Sequence, residues 1–509
     1  MEALALAVHS GSAKGGTLLE LLYDRYLTFG GDAESQKLYL YFFQKASEPY
    51  FAILEKWVYK GIIDDPYKEF MIAENQKETK EDLSNKYTTT FWDTHFHFRP
   101  EMRLPDILNS LKDSILVTGK YFNVLRECGL PIQHEYSKRL SFVPGSHELE
   151  ETLRAVHQYA SQAVLNLLMQ EKGLKNHLKI MQHYFFASYG DYLIHFADLS
   201  REELAKPIKE INSAASSSKS KLQSFLELSL KSSVGANNPL TDHLTLAFSE
   251  HTVMEQILRI LHVDHDGEVM EKRTPPPSGG LRGHDTVMID YKVEWPVSIV
   301  LNRPNIFPYQ LIFRYLFQCR QVEQQLCSTW TEQKIGKAFL RGQQGAILRG
   351  PFFLRQQMLT FMQTIQYYTA FDVLEPQWQA MELQLAKAST LDEVILVHSD
   401  FLQACLTDSM LTEAPLVLSL EGIMATCVNF VRLMTRLNQN FSHRLQQKSS
   451  TAPMVDAGFE KELAILEQDF RTKFTEFIAA LNDVMAGGRY VYRNLVQRLD
   501  YSGFYAGIL

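Results

Sequence analysis

Residues 351–381 read PFFLRQQMLTFMQTIQYYTAFDVLEPQWQAM, and the spacing within them decides the fold class. Leu354, Met358, Phe361, Ile365 and Tyr368 recur at intervals of four, three, four and three, the repeat that lines one face of an α-helix. Pro351 suits the first helical position, where a missing N–H costs nothing. Pro376 predicts the end of the helix, because the residue before a proline is biased away from helical backbone.

The same stripe recurs on both sides. Upstream, residues 309–334 place Leu311, Ile312, Tyr315, Leu316, Cys319, Val322, Leu326 and Trp330 on one face. Phe313 and Phe317 lie off it, so the first turns are apolar nearly all round, as in a helix packed on several sides. Downstream, helices are predicted over 377–388, over 391–407 with Ser389 or Thr390 as cap, over 416–445, over 460–485 and over 490–499. Leu463, Leu466, Phe470, Phe474, Phe477, Leu481 and Val484 form the stripe of the fourth, and Gly487-Gly488 stops it. Towards the N-terminus the pattern predicts helices over 18–22, 38–43, 50–59, 107–128, 146–170, 174–186 and 222–230. Asp64-Asp65-Pro66 reads as a turn and 69–85 as an exposed polar segment. Ser200 with Glu203 matches a capping box at a helix start.

One region departs from the helical period. Residues 244–248 and 286–293 alternate apolar and polar side chains, as half-buried strands do, and a helix over 253–261 lies between them. Segments 212–221, 272–283 and 448–458 read as loops, the first rich in serine and the second in proline and glycine. No short-period solenoid repeat is present. The expected architecture is all-α: consecutive helical bundles forming an elongated rod, with a small two-stranded β element.

Composition narrows the function. A chain of 509 residues is long enough for about two to four domain-sized units. Hydrophobic residues make up 45% and charged residues 22%, which is ordinary for a globular protein. The net charge of −8 argues against a nucleic-acid-coating protein. Five scattered cysteines (Cys128, Cys319, Cys327, Cys405 and Cys427) contain no CxxC pair, so they read as small buried residues in a reducing compartment. No uninterrupted apolar run reaches the roughly 18 residues of a bilayer span. The opening MEALALAVHSGSAKGG lacks the basic stretch of a signal peptide, and a cytosolic protein is expected.

No phosphate-loop, HExxH or GxSxG motif occurs. The glycines of GQQGAILRG at 342–350 read as an inter-helix loop rather than an anion cradle. His95 and His97 in HFHF could share one side of a strand, but no third metal ligand is evident. His183 and His195 fall in aromatic-rich helix and read as core or rim residues. No nucleophile, base and orienting group gather, so catalytic residues, metal ligands and cofactors are not expected. Binding remains. The chain carries 31 Phe, 23 Tyr and 5 Trp, most of them on core stripes. Arg303, Tyr309, Arg314, Arg320, Arg349 and Arg355, at helix starts or off the stripes, are the candidate partner-binding residues.

Several blocks keep one order along the chain: PYFAILEKWVYKGIIDDPYKEF at 49–70, GKYFNVLRECG at 119–129, HYFFASYGDYLIHFADL at 183–199, YKVEWPVSIVL at 291–301, YQLIFRYLFQCRQVEQQLCSTW at 309–330 and RLDYSGFY at 498–505. Together they resemble the gamma-tubulin complex component (GRIP-motif, spindle pole body component) family, nearest to its component 2 branch. The resemblance implies two modules. Residues 1–173 would be the C-terminal part of a shortened N-terminal GRIP module that makes lateral contacts. Residues 174–509 would be the C-terminal GRIP module that binds gamma-tubulin. It further implies a non-catalytic scaffold that templates microtubule nucleation at microtubule-organising centres and spindle poles. Its partners would be gamma-tubulin and other components, component 3 among them, with no nucleic acid and no membrane span. The alternative reading is a generic helical tether or adaptor without gamma-tubulin binding.

Overall fold

Amphipathic spacing becomes helix through most of the chain. The computed structural model describes residues 14–75, 95–100, 102–130, 139–140, 147–188, 190–213, 217–236, 238–266, 281–339, 349–447 and 457–501. The opening residues 1–13, the prolines 275–277, the glycine loop 342–348, residues 448–456 and the chain end after Tyr501 lie outside the described residues. The chain divides into two compact units, one of residues 1–176, 293–305 and 384–398, the other of 177–292, 306–383 and 399–509.

In the first unit, α1 (Gly16–Thr28) packs on α2 (Ala33–Lys60). The three short N-terminal helices expected from the pattern are therefore two, because α2 runs unbroken through Pro49. Tyr39, Phe43, Tyr50, Leu54 and Trp57 keep one buried stripe on both sides of that exposed proline, and their packing outweighs its local cost. Asp32 caps the start by accepting from the Glu34 amide at 3.2 Å. Gly61, left-handed with φ 61°, ends it.

The segment expected to be exposed from residue 69 begins instead with buried Phe70, Met71 and Ile72. These lead into β1 (Ile72–Glu74), which pairs antiparallel with β2 (Phe96–Phe98). Asp65 fixes the approach: its carboxylate accepts from the Glu69 and Phe70 amides, each at 2.9 Å, and meets Arg99 at 3.2 Å. Next, α3 (Asp106–Glu127) packs on α2 and on α4 (Glu148–Asn166). Trp57 crosses from α2 to α3, donating its indole N–H to the Ile115 carbonyl at 2.9 Å.

The unit boundary falls in α5 (Leu174–Ile180), which continues as a π-type turn over Met181–Phe185. In the second unit, Ser200 is a correction to the sequence reading. It sits fully buried inside α6 (Gly190–Leu204) and donates to the Phe196 carbonyl at 2.5 Å. Tyr192, Phe196, Ser200 and Leu204 form one continuous stripe, so the capping-box letters fall where packing already holds a helix. After α7 (Ile208–Ile211), α8 (Ser218–Ser232) begins inside the segment expected to be a loop.

The β element forms where the alternation placed it. β3 (Leu244–Phe248) is followed by α9 (Val253–Asp266) and α10 (Gly283–Thr286), then by β4 (Val287–Tyr291). The two strands pair antiparallel from Leu244↔Tyr291 to Phe248↔Val287.

Helix α11 (Arg303–Phe339) starts ahead of Pro308 and contains it. Tyr309, Ile312, Phe313, Tyr315 and Phe317 are each at most 1% exposed, so its first turns are covered all round as expected. The helix of residues 351–381 is α12 (Arg349–Tyr367), a π-type stretch over Tyr368–Leu374, and α13 (Glu375–Leu385). Pro376 does not end it. The wider π turn ahead of the proline relieves the clash and the lost hydrogen bond that a regular turn would suffer. Tyr368 anchors that turn by donating to the Asp408 carbonyl at 3.1 Å.

In α14 (Leu391–Asp408) the expected Thr390 cap forms, its hydroxyl accepting from the Glu393 amide at 3.3 Å. The long helices α15 (Ala414–Gln447) and α16 (Ala457–Ala486) pack on each other, and α17 (Arg493–Leu499) follows. Residues Ala414–Asn440 contain an 18-residue stretch of mean hydropathy 1.6, long and apolar enough to cross a membrane by length and composition, which the count of uninterrupted apolar residues missed. Leu420, Ile423, Cys427, Phe430, Met434 and Leu437 are each at most 6% exposed. Packing thus covers one apolar face of the helix, while Leu418 stays 38% exposed.

Candidate functional site: a tryptophan–arginine surface cluster

Packing of α12 separates its side chains into two sets. Leu354, Met358, Phe361 and Ile365 are buried, with Phe361 edge-on to Phe474 and to Phe477, each at 5.7 Å between centroids. That anchorage turns Phe353 outward, leaving it 61% exposed. Beside it, Phe352 meets the Trp330 ring of α11 edge-on at 5.6 Å. The Arg355 guanidinium lies over the same Trp330 ring, 4.8 Å from its centroid.

Trp330 is 45% exposed although the sequence stripe assigned it to the core. Burial pushes the Arg355 pKa down, and the Cys327 thiol beside it acts against that shift. The group stays cationic under any ordinary condition. The Arg355 Nε is buried without a hydrogen-bond partner, so the ring supplies much of that cation's compensation. Nearby, Arg320 pairs with Glu323 at 2.6 Å, and Gln363 donates to the same carboxylate at 3.0 Å. The result is a surface of indole and phenyl groups with the Arg355 guanidinium packed against the Trp330 ring. These residue types carry most binding energy at protein interfaces.

The six residues singled out by sequence divide. Arg349 is exposed, and Arg303 and Arg320 are half-buried at the surface. Arg355 joins the cluster through Trp330. Three of the six are buried, Arg355 at 6% exposure against Trp330 and Tyr309 and Arg314 in the interior, and the reading of the last two as contact residues is corrected. Tyr309, fully buried, stacks on Phe186 at 5.2 Å and meets Phe185 edge-on at 6.0 Å. Arg314 is 4% exposed, and burial lowers its pKa to about 10. It donates to the His251 carbonyl, the Gln256 side chain and the Asp285 carbonyl. Being off the stripe marked it as unusual, but a long α11 packed on all sides has no off-stripe surface at that level.

The sequence reading missed a second aromatic group. Tyr367 and Phe371, 49% and 61% exposed, lie 4.8 Å apart. The Arg498 guanidinium sits 4.4 Å over Tyr367 and pairs with Asp372 at 3.1 Å. Phe353, Tyr367 and Phe371 all fall off the Leu354–Tyr368 stripe, and that was the available signal.

A hydroxyl–imidazole–carboxylate chain exists in the first unit. Thr118 meets His157 Nδ1 at 2.9 Å, and His157 Nε2 lies 3.5 Å from Asp392. The Thr118 hydroxyl is buried and donates to the Ser114 carbonyl at 2.6 Å, so it is placed as a structural link rather than a nucleophile. Burial works to raise the Asp392 pKa, but hydrogen bonds from His157 and Tyr121 outweigh it and hold the carboxyl below its ordinary value. In the β1–β2 pair, His95 Nε2 meets Glu74 at 3.2 Å. Among the described residues no three His, Cys, Asp or Glu side chains gather as a metal site.

Comparison with known proteins bears on the whole chain. The family described as "Gamma tubulin complex component N-terminal" matches residues 1–171, and the one described as "Gamma tubulin complex component C-terminal" matches residues 174–505. Gamma-tubulin complex component 2 of Mus musculus is 34% identical over 541 residues, covering 99% of this chain and 59% of the mouse protein. Gamma-tubulin complex component 2 of Arabidopsis thaliana is 36% identical, covering 84% of this chain and 62% of the plant protein. Spindle pole body component alp4 of Schizosaccharomyces pombe is 27% identical, covering 92% and 65%. The chain thus spans about three fifths of the length of the first two relatives.

Proposed function

The chain belongs to the gamma-tubulin complex component family, and from that premise we propose that it is a non-catalytic scaffold subunit of the gamma-tubulin complex. It binds gamma-tubulin through the module of residues 174–509 and, with other components such as component 3, templates microtubule nucleation at organising centres and spindle poles. The module of residues 1–173 contributes lateral contacts. The observation that carries this reading is the tandem match of both family descriptions, in order, over nearly all of the chain. The Trp330–Arg355 surface supports it, because it offers the residue types that anchor protein partners.

The chemistry required is modest. Nucleation is slow because several subunits must lose translational and rotational freedom together. A scaffold that holds gamma-tubulins side by side supplies a high effective concentration and lowers that entropic cost. No bond is made or broken by this chain.

The direct test is capture of purified gamma-tubulin by the full chain over a range of ionic strength. Affinity of about 1 μM or tighter is expected, equivalent to roughly 8 kcal/mol. Replacing Trp330 and Phe353 by alanine should weaken capture at least about tenfold, as for interface anchors. Replacing Arg303, Arg320 and Arg349 should reduce mainly its salt dependence. Absence of capture by a folded chain would reject gamma-tubulin binding. Unchanged affinity in both variants would move the contact surface elsewhere.

A further inference from the structure

Strand β3 has one side turned to β4 and one turned away from it. Lys292 N–H bonds the His243 carbonyl and Ser249 N–H bonds the Thr286 carbonyl, so the odd-numbered residues of this stretch address β4. Strand alternation then sends the backbone groups of Leu244, Leu246 and Phe248 to the outer edge. There the Gln223 carboxamide of α8 stands in for a neighbouring strand. Its Oε1 accepts from the Leu246 amide at 2.9 Å, and its Nε2 donates to the Leu244 carbonyl at 3.5 Å. A residue of a parallel partner strand makes this same pair of bonds, to i−1 and i+1. The next groups along the edge are the Leu246 carbonyl and the Phe248 amide.

An open groove of about 540 Å³ runs beside this edge. Leu246, Thr245, Gln223 and Ile211 form part of its wall, Ser220 lends a hydroxyl, and Lys219 is the only charged residue lining it among the described residues. The groove therefore combines a main-chain edge with one cation.

We propose that the outer edge of β3 takes an extended segment of a partner protein carrying an acidic side chain. The segment adds as a strand to the two-stranded sheet, its carboxylate meets Lys219, and Gln223 acts as a latch that it displaces. Main-chain pairing supplies affinity in such strand addition, and the side-chain contact supplies selectivity. In the unbound protein the Gln223 latch keeps the edge from pairing indiscriminately. The site is independent of gamma-tubulin binding and uses none of the Trp330–Arg355 residues.

The probe is a synthetic peptide of alternating threonine and valine with one central aspartate, acetylated and amide-ended. Hydrogen exchange of segment 244–248 in the full chain is followed as peptide is added. Slowed exchange is expected at millimolar peptide. Gln223→Ala should tighten binding roughly 2- to 10-fold, because the latch bonds no longer compete. Lys219→Glu should weaken it at least about threefold. A peptide with prolines at the pairing positions should give no protection. If 244–248 exchanges at the same rate with and without millimolar peptide in both wild type and Gln223→Ala, the proposal is overturned. Equal protection by the proline peptide would overturn edge pairing. Indifference to Lys219→Glu would overturn the acidic partner.

Discussion

Single side chains of one type do opposite work here, and burial decides which. Arg314 and Arg349 were both singled out in the sequence as candidate contact residues, yet one is 4% exposed and the other stands in solvent. Arg314→Ala leaves the His251 and Asp285 carbonyls and the Gln256 side chain without their donor. Hydrogen bonds to a charged group contribute about 1.5–3 kcal/mol each. The variant should therefore lose stability by at least that much in denaturant titration, whereas Arg349→Ala should stay within about 0.5 kcal/mol of wild type. Equal midpoints for the two would contradict the burial argument. His398 offers a pH counterpart. It is fully buried, and desolvation lowers its pKa to about 4. In the unfolded chain a histidine titrates near 6.5, so between these values the unfolded state binds the extra proton. The stabilising contribution is complete above pH ~6.5 and is lost as pH falls towards ~4, by about 1.4 kcal/mol per unit. His284, also lowered to about 4 mainly by burial, acts in the same direction. His398→Leu should flatten the fall in stability between pH 6 and pH 5 by about half of the two-histidine slope. Parallel pH profiles for variant and wild type would remove His398 from the account.

Elements were legible wherever one period ran without competition. The stripe of α12, the all-round apolar start of α11, the Thr390 cap and the β3–β4 alternation all took the form their residues predict. Prolines and serines misled, for one physical reason. A proline in a helix costs about 3 kcal/mol, but the buried side chains on both sides of Pro49, Pro308 and Pro376 recover more than that. The Ser200 hydroxyl, likewise, bonds back to Phe196 inside a stripe that had not ended. The π-type stretches at Leu167–Glu171, Met181–Phe185 and Tyr368–Leu374 add a fraction of a residue per turn, too little to show in a pattern of threes and fours. Helix α15 makes the packing argument measurable. Phe430 is fully buried within it, and truncating a buried phenylalanine costs about 3–5 kcal/mol. Phe430→Ala should lower the denaturant midpoint of the second unit accordingly. A neutral result in aqueous buffer would mean that the apolar face of Ala414–Asn440 is not committed to the protein core.

The all-α architecture was readable because it rests on periodicity. The proposed contact surface was only half readable. Arg349 and Arg355 lie at the start of the helix that carries the proposed surface, but Trp330 and Phe353 needed the three-dimensional packing that turns them outward. Templating adds a requirement that no single surface can meet. One chain holding one gamma-tubulin gains nothing in entropy over free gamma-tubulin, since the benefit comes from joining several sites at a high effective concentration. Nucleation should then rise more steeply than linearly with the concentration of the complex of this chain with gamma-tubulin and a second component. Mass photometry should show particles larger than a pair at the concentrations where tubulin turbidity loses its lag. A strictly linear dependence, with only pairs present, would leave gamma-tubulin binding intact and remove templating by lateral assembly of this chain.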